Sequence, residues 1–324
     1  EYDIAIIGAG PAGATLARLL RGFRVAVIDK KSHKESTFQK VCGGLLAPDA
    51  QKSLSRFQLE LPLSVKAQPQ IFSVRTIDLN SNIVRTCHRN YINMDRHKFD
   101  MWLISLIPDG VDLFLDTKCT DVRRESGGFK VDFLTDGIKQ SLRTKYIVGA
   151  DGAKSLVRRS FFKHNIQQYT AIQQWYKQDR DNPIYTAAFD SDITSSYAWG
   201  LEKDGYFIFG AALSGENVLK DFDVLKEKMK AYGYSFDGLV KTEACLVLSP
   251  IKLSDTLTGS EDIFLIGEAG GFISPSSLEG LSYAMDTAAV LADAFNKHFD
   301  KAFQIYKKRV FRLRLKLLSK RLKM

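Results

Sequence analysis

The chain is poor in cysteine: four in 324 residues, at positions 42, 87, 119 and 245. Their wide separation shows neither a disulfide framework nor metal-ligand spacing. We expect a reducing, cytoplasmic setting and no metal. Long apolar runs are also missing. No stretch approaches the roughly 18–20 apolar residues that cross a bilayer. The acidic start, EYDIAIIG, does not read as a signal peptide. Histidine is scarce, and His33, His88, His97, His164 and His298 form no constellation in the sequence. Residues 301–324 hold ten Lys and Arg and no acid. The formal net charge of +9 therefore belongs to this tail, and the rest of the chain is close to neutral.

What remains is an ordinary globular composition, 45% hydrophobic and 26% charged. The length suits one large or two interleaved domains. YDIAIIG (2–8) is an uninterrupted apolar run, as a strand covered on both faces requires. A glycine turn and a helix follow it, then a second strand over 24–31. Alternation predicts antiparallel strands at 71–79 and 83–93, and helical spacing predicts a helix over 96–107. Further strands are expected at 111–116, 119–125, 129–134 and 141–149, then a β-rich block over 170–214. Helices are expected at 223–234, 280–298 and 301–323, with a buried strand and glycine turn at 262–271.

GAGPAG (8–13) is G-x-G-x-x-G between a buried strand and a helix. Gly8 permits the turn, Gly10 lets the backbone approach a pyrophosphate, and Gly13 lets helix and strand pack closely. The phosphates would lie on the positive end of the helix, beside Ala12. Asp29 ends the second strand, where a carboxylate can bind a ribose, and Lys30 follows it. Two more segments place an acid beside glycine after a buried strand: YIVGADG, with Asp151 and Gly152, and FLIGEAGG, with Gly267, Glu268 and Gly271.

Together these motifs resemble the FAD-dependent flavoproteins that include aromatic hydroxylases and geranylgeranyl reductases. The resemblance implies an α/β fold: a Rossmann-like FAD/NAD(P)-binding domain, an interleaved antiparallel β-sheet substrate domain and C-terminal helices. It implies that Asp151-Gly152 lies near the pyrophosphate and that Glu268, where aspartate is usual, reaches the ribityl chain. DRHKFDMWL (95–103) resembles the family's Arg-x-x-[FL]-D-x-x-L helix, whose Arg96 would meet the FAD. The implied division is 1–60, 92–158 and 256–300 for the FAD domain, 61–91 and 159–255 for the substrate domain, and 301–324 as a basic C-terminal helix.

Two features resemble the geranylgeranyl reductase branch. KVCGGLL (40–46) is similar to its Cys-Gly-Gly segment near the flavin, which implies cofactor contact for Cys42, Gly43 and Gly44 and a candidate catalytic role for Cys42. SSYAWGLEK (195–203) is similar to its P-x-x-Y-x-W-x-F-P segment. Tyr197 and Trp199 match, while Thr194 and Leu201-Glu202 depart from it. PSSLEGLSYAM (275–285) matches at Pro275, Glu279 and Gly280, with Leu281 following and Leu278 where a glycine is usual. Tyr197, Trp199 and Leu278 are the expected substrate-cavity residues. Two alternatives stay open. Tyr197 and Trp199 serve a core as readily as a cavity, and Glu279 serves a helix N-terminus as readily as chemistry.

The implied activity is reduction of C=C bonds of a polyprenyl or geranylgeranyl lipid by hydride from flavin N5, with NAD(P)H or ferredoxin as electron donor. An aromatic monooxygenase or halogenase on the same fold is the alternative, and a non-catalytic flavin-binding protein is the next. In the tail, Phe303, Tyr306, Val310, Leu313 and Leu317 form one helical stripe, widened by Phe311, Leu315, Leu318 and Leu322. Either the stripe packs on the core, or residues 301–324 lie on the inner face of the cell membrane. Without a recognition motif, no nucleic acid is expected as a partner. The sequence leaves the oligomeric state undetermined.

Overall fold

Aliphatic runs without polar interruption need cover on both faces, and those of this chain lie side by side in one parallel sheet. The computed structural model describes residues 1–32, 40–178 and 182–321. The chain divides into a unit of residues 1–39, 99–167 and 248–324 and a unit of residues 40–98 and 168–247.

In the first unit, β1 (Tyr2–Ile7), β2 (Val25–Ile28), β6 (Asp112–Phe114), β9 (Ile138–Gly149) and β16 (Ile263–Leu265) run parallel in the order β16-β9-β1-β2-β6. β7 (Thr117–Glu125) and β8 (Gly128–Thr135) extend β9 as an antiparallel meander, and β15 (Gly259–Ser260) edges β16. Helices α1 (Pro11–Leu19), α4 (Leu156–Phe161), α6 (Leu281–His298) and α7 (Ala302–Arg321) belong to this unit. Ala5, Ile7, Ile28, Phe129, Val131, Ile147 and Leu265 are buried in its core.

The second unit is built on a sheet in the order β14-β10-β13-β12-β11-β4-β5-β3. Its strands are β3 (Leu45–Leu46), β4 (Ile71–Asp78), β5 (Ile83–Asn93), β10 (Gln168–Lys177), β11 (Ile184–Phe189), β12 (Ala198–Lys203), β13 (Tyr206–Leu213) and β14 (Leu239–Leu248). α2 (Pro48–Arg56) follows β3; α3 (Arg96–Ser105) follows β5 and from residue 99 onward belongs to the first unit. α5 (Val218–Lys230) covers Phe207 and Phe209 with Phe222, Leu225 and Met229. This helix starts before the expected Asp223 because its apolar face begins at Val218, which packs on the same core. It stops short of 234, where Gly233 takes a φ of +86°.

Four expectations about the units change. Residues 40–60 belong to the second unit, because Leu45 and Leu46 pair with Asn93 and Ile92. Residues 92–98 go with them, while 159–167 and 248–255 belong to the first unit. The tail is part of the first unit as well. Tyr306, Val310 and Leu317 are buried and Phe303 and Leu313 half-buried, so the expected stripe packs inward. Phe311 and Leu315 face outward, and Leu322 lies outside the described residues. Among the described residues, no helix is long and apolar enough to cross a membrane.

Candidate functional site

Parallel strands carry their loops at the carboxyl edge of the sheet, where dinucleotide-binding proteins hold their ligand. β1, β9 and β16 are neighbours, so the turns that leave them are neighbours too. Gly8 leaves β1 with a φ of +103°, and a Cβ there would lie 2.5 Å from the Ala150 carbonyl oxygen. Gly152 has a φ of +74°, and its Cβ would lie 3.8 Å from Glu268 Oε2. Gly267 would place a Cβ 3.0 Å from that of Ala12, on α1. The three glycine turns of the sequence therefore close a ring at the N-terminus of α1.

Gly13 has no room for a side chain, since a Cβ would overlap the Gly8 carbonyl oxygen. Gly10 differs. Its φ is an ordinary −69°, and a Cβ would meet only Lys31 Nζ, at 3.7 Å. Here glycine keeps an approach open. Helix geometry leaves the Ala12 and Gly13 N–H groups without an intrahelical acceptor, facing that approach. The arrangement fits a pyrophosphate.

Asp29 accepts from the Ala9 N–H and, at 2.7 Å, from the Lys31 N–H. Lys31 Nζ lies 3.6 Å from Asp29 Oδ2 and 3.2 Å from Asp100 Oδ2, and all three side chains are buried. One backbone donor on each Asp29 oxygen fixes the carboxylate and leaves lone pairs for a ribose hydroxyl pair. Lys30, named beside Asp29 in the sequence, is exposed. Lys31 takes the buried place.

Asp151 Oδ2 accepts from Leu156 N–H at 2.6 Å, while Oδ1 is buried without a hydrogen-bond partner among the described residues. Burial pushes this carboxyl up, against the hydrogen bonds it receives from Ser155 and Leu156. An orphaned buried acceptor beside Gly152 is a place for a ligand donor. Arg158 donates to Ala269 O at 2.7 Å and also to Ala153 O, tying the second turn to the third. Glu268 Oε1 accepts from Leu248 N–H at 3.1 Å, and Gly271 takes a φ of +77° where a Cβ would strike Asp255 O.

Glu279 caps α6: its two oxygens accept from Ser282 N–H and Ser282 Oγ, each at 2.7 Å. The capping alternative describes this contact, and Gly280 is the cap residue itself. Pro275 and Leu281 are buried. Leu278 has a φ of +51°, the left-handed region that favours glycine, at the position where the family pattern has one.

The other sequence candidates belong to the second unit. Trp199, Leu201 and Lys203 alternate along β12 and so share a face. A Cβ on Gly43 would lie 3.4 Å from Leu201 Cδ2 and 3.9 Å from Trp199 Nε1, so the Cys42–Gly44 turn lies on this face. Cys42 Sγ accepts from Gly44 N–H at 3.4 Å. Lys203 Nζ donates to Gly44 O at 3.3 Å and also to Met94 O. Burial pulls the Lys203 ammonium down to about 8, opposed by the charges of Cys42, Asp95 and Asp204. Tyr197 lies 6.0 Å from Trp199 and Tyr91 lies 5.6 Å from Tyr185, ring to ring, with the Tyr185 and Tyr197 hydroxyls 3.5 Å apart. Trp199 spans Gly210 of the next strand, and its buried Nε1–H has no acceptor among the described residues. Arg96 is half-buried at the start of α3. The expected cavity residues thus divide, Tyr197 and Trp199 in the second unit and Leu278 in the first.

Lys31, Asp100, Arg158 and Lys203 were not singled out from sequence. Only the position of Asp100 within R-x-x-F-D-x-x-L offered a signal.

Residues 1–179 match the model of a family described as FAD binding domain. Protein CbrA of Escherichia coli O6:H1 is 47% identical over 323 residues, 99% of this chain and 88% of that protein. A geranylgeranyl bacteriochlorophyll reductase-like protein from Thermoplasma acidophilum is similar in structure, with a TM-score of 0.81 and 19% identity, covering 99% of this chain and 87% of that one. PqsL, a probable FAD-dependent monooxygenase from Pseudomonas aeruginosa, has a TM-score of 0.73 and 18% identity, covering 98% of this chain and 94% of that one. At these identities the structural likenesses establish the fold: an α/β FAD-binding fold with mixed sheets and C-terminal helices.

Proposed function

Because the chain belongs to the FAD binding domain family, we propose that it is an FAD-dependent reductase of C=C bonds in an isoprenoid lipid. When bound, FAD would carry the hydride to the alkene, with NAD(P)H or a ferredoxin as the source of electrons.

The chain's own residues would divide the remaining work. Gly10, Ala12 and Gly13 would hold the pyrophosphate by backbone N–H groups, and Asp29 the ribose. Asp151 and Glu268, joined by the Arg158 tie, would meet the linker between phosphate and ring. The rings of Tyr91, Tyr185, Tyr197 and Trp199 would offer apolar faces to a hydrocarbon chain, each with one polar group at its edge.

The observation that carries the reductase reading is the Cys42–Gly44 turn on the Trp199–Lys203 face. Alkene reduction needs a proton as well as a hydride, and Cys42 Sγ would give one. The thiolate left behind would accept the Gly44 N–H and lie near the Lys203 charge. The likeness to the T. acidophilum reductase-like protein supports the same branch, and that to PqsL supports oxygen chemistry as the second reading.

The test is anaerobic incubation of the reduced, FAD-loaded protein with prenyl lipids, read by mass spectrometry. A gain of two hydrogens per double bond, retained FAD in Cys42→Ala and loss of its turnover are expected. A product that gains oxygen, and only in air, assigns the monooxygenase. Bound FAD with no turnover of any donor leaves a binding protein, and failure to take up FAD removes the proposal.

A further inference from the structure

α7 presents two faces with different fates. Tyr306, Val310 and Leu317 are buried, and the Tyr306 hydroxyl donates to Leu265 O at 2.8 Å. The opposite face carries Gln304, Lys307, Lys308, Phe311, Arg312 and Leu315, at the three- and four-residue spacing that aligns side chains on a helix. Phe311 is 44% exposed and Leu315 46% exposed, and they sit at the centre of this face with Lys307, Lys308 and Arg312 around them.

Several of the tail's charges serve the fold. Arg309 pairs with Asp293, and Arg314 donates to Thr256 Oγ1 and Leu253 O, each at 2.8 Å. Lys316 and Lys320 lie 5.7 and 5.3 Å from the centre of the Tyr283 ring. Lys308 and Arg312 do not. Both are exposed, and neither forms a salt bridge among the described residues.

We propose that the outward face of α7 docks the protein on an anionic membrane surface. Phe311 and Leu315 would enter the headgroup boundary, and Lys307, Lys308 and Arg312 would lie over lipid phosphates. Packing explains the inner stripe but gives no reason for two large apolar side chains amid the outward charges. A nucleic-acid strip would use the same cations, yet phosphate contact gains nothing from a central Phe and Leu. The absence of acid from residues 301–324 selects a negatively charged partner. The inference is independent of the redox reading, because binding to a vesicle needs no turnover.

The experiment is flotation of the FAD-loaded, full-length protein with vesicles of phosphatidylcholine alone or mixed with phosphatidylglycerol. Binding to the anionic vesicles only is expected, weakening as salt rises. Lys308→Glu/Arg312→Glu should lower the partition coefficient about 30-fold or more, at about one factor of five per basic residue removed. Phe311→Ser/Leu315→Ser should lower it about tenfold with the charge unchanged. Arg85→Glu/Arg89→Glu, on the exposed part of β5, should bind like wild type. Absence of anionic-vesicle binding, or an equal loss in the β5 variant, overturns the proposal. So does binding indifferent to Phe311→Ser/Leu315→Ser, or capture of duplex DNA or RNA in place of vesicles.

Discussion

Replacing Lys203 with methionine keeps the aliphatic stem and deletes the charge. Burial takes the ammonium from its ordinary 10.5 to about 8, so holding it charged at neutral pH costs the fold about 3 kcal/mol. The folded pKa is lower than the unfolded one. Between the two, the unfolded chain binds a proton that the folded chain does not, and stability rises with pH. The cost is full below pH 8 and gone above 10.5; at about pH 9.3, roughly half has been recovered. Methionine never bears it, but loses the bonds to Gly44 O and Met94 O, about 1 kcal/mol each. Gly44 O retains the Met94 N–H at 2.8 Å, which limits that loss. Urea unfolding of wild type and Lys203→Met should therefore give similar stabilities near neutral pH, with the variant about 1 kcal/mol ahead in this balance of about 3 against about 2. By about pH 9.3 the variant should have lost about 1.5–2 kcal/mol relative to wild type. A difference that stays flat across this range would refute the buried charge.

Gly10→Val should fold with near-normal stability, since a Cβ there meets only Lys31 Nζ, yet purify without the FAD absorbance because the phosphate approach is filled; Gly13→Ala, which overlaps Gly8 O, should lose both. Leu278→Gly should stabilise the protein by about 1 kcal/mol, seen as a rise of about 2 °C in the melting temperature, by relieving the left-handed backbone. Asp255 accepts from Ile251 N–H, Lys252 N–H and His164 Nε2. Burial pushes its carboxyl up, but these bonds prevail and hold it below the ordinary range. Its contribution is therefore full above about pH 4 and lost as pH falls through the folded value. Asp255→Asn should be less stable than wild type at neutral pH, with the gap closing in acid-unfolding titrations.

The parts of the fold that are local in sequence were legible in it. β1, the Gly8–Gly13 turn and α1 follow from one apolar run and three glycines, because Gly8 supplies the positive φ of the turn and Gly13 clears the Gly8 carbonyl only five residues away. The tail was legible as a helix with one apolar stripe, but not whether that stripe met the core or a membrane. Tyr306 and Phe311 are both large and apolar, and only docking against Leu265 distinguishes them. The boundary at residue 40 was hidden because β3 is two residues long. Lys31 with Asp100 and Arg158 with Ala269 are separated by many residues of chain, and a lysine or arginine in a sequence does not announce its burial. Lys203 was missed for the same reason.

The ring of three turns also orders events during synthesis. Its first arc, Gly8–Gly13, is made before the second, at Asp151, and the third, at Gly267, is made after both. Arg158 has no Ala269 carbonyl to hold until then. A nascent or truncated chain that stops short of the third turn contains the fingerprint but an incomplete cradle. Cofactor binding, and the stabilisation that comes with it, would therefore be available only once the third turn has been made. On this view chains that stop before the third turn would remain unclamped and exposed to proteolysis.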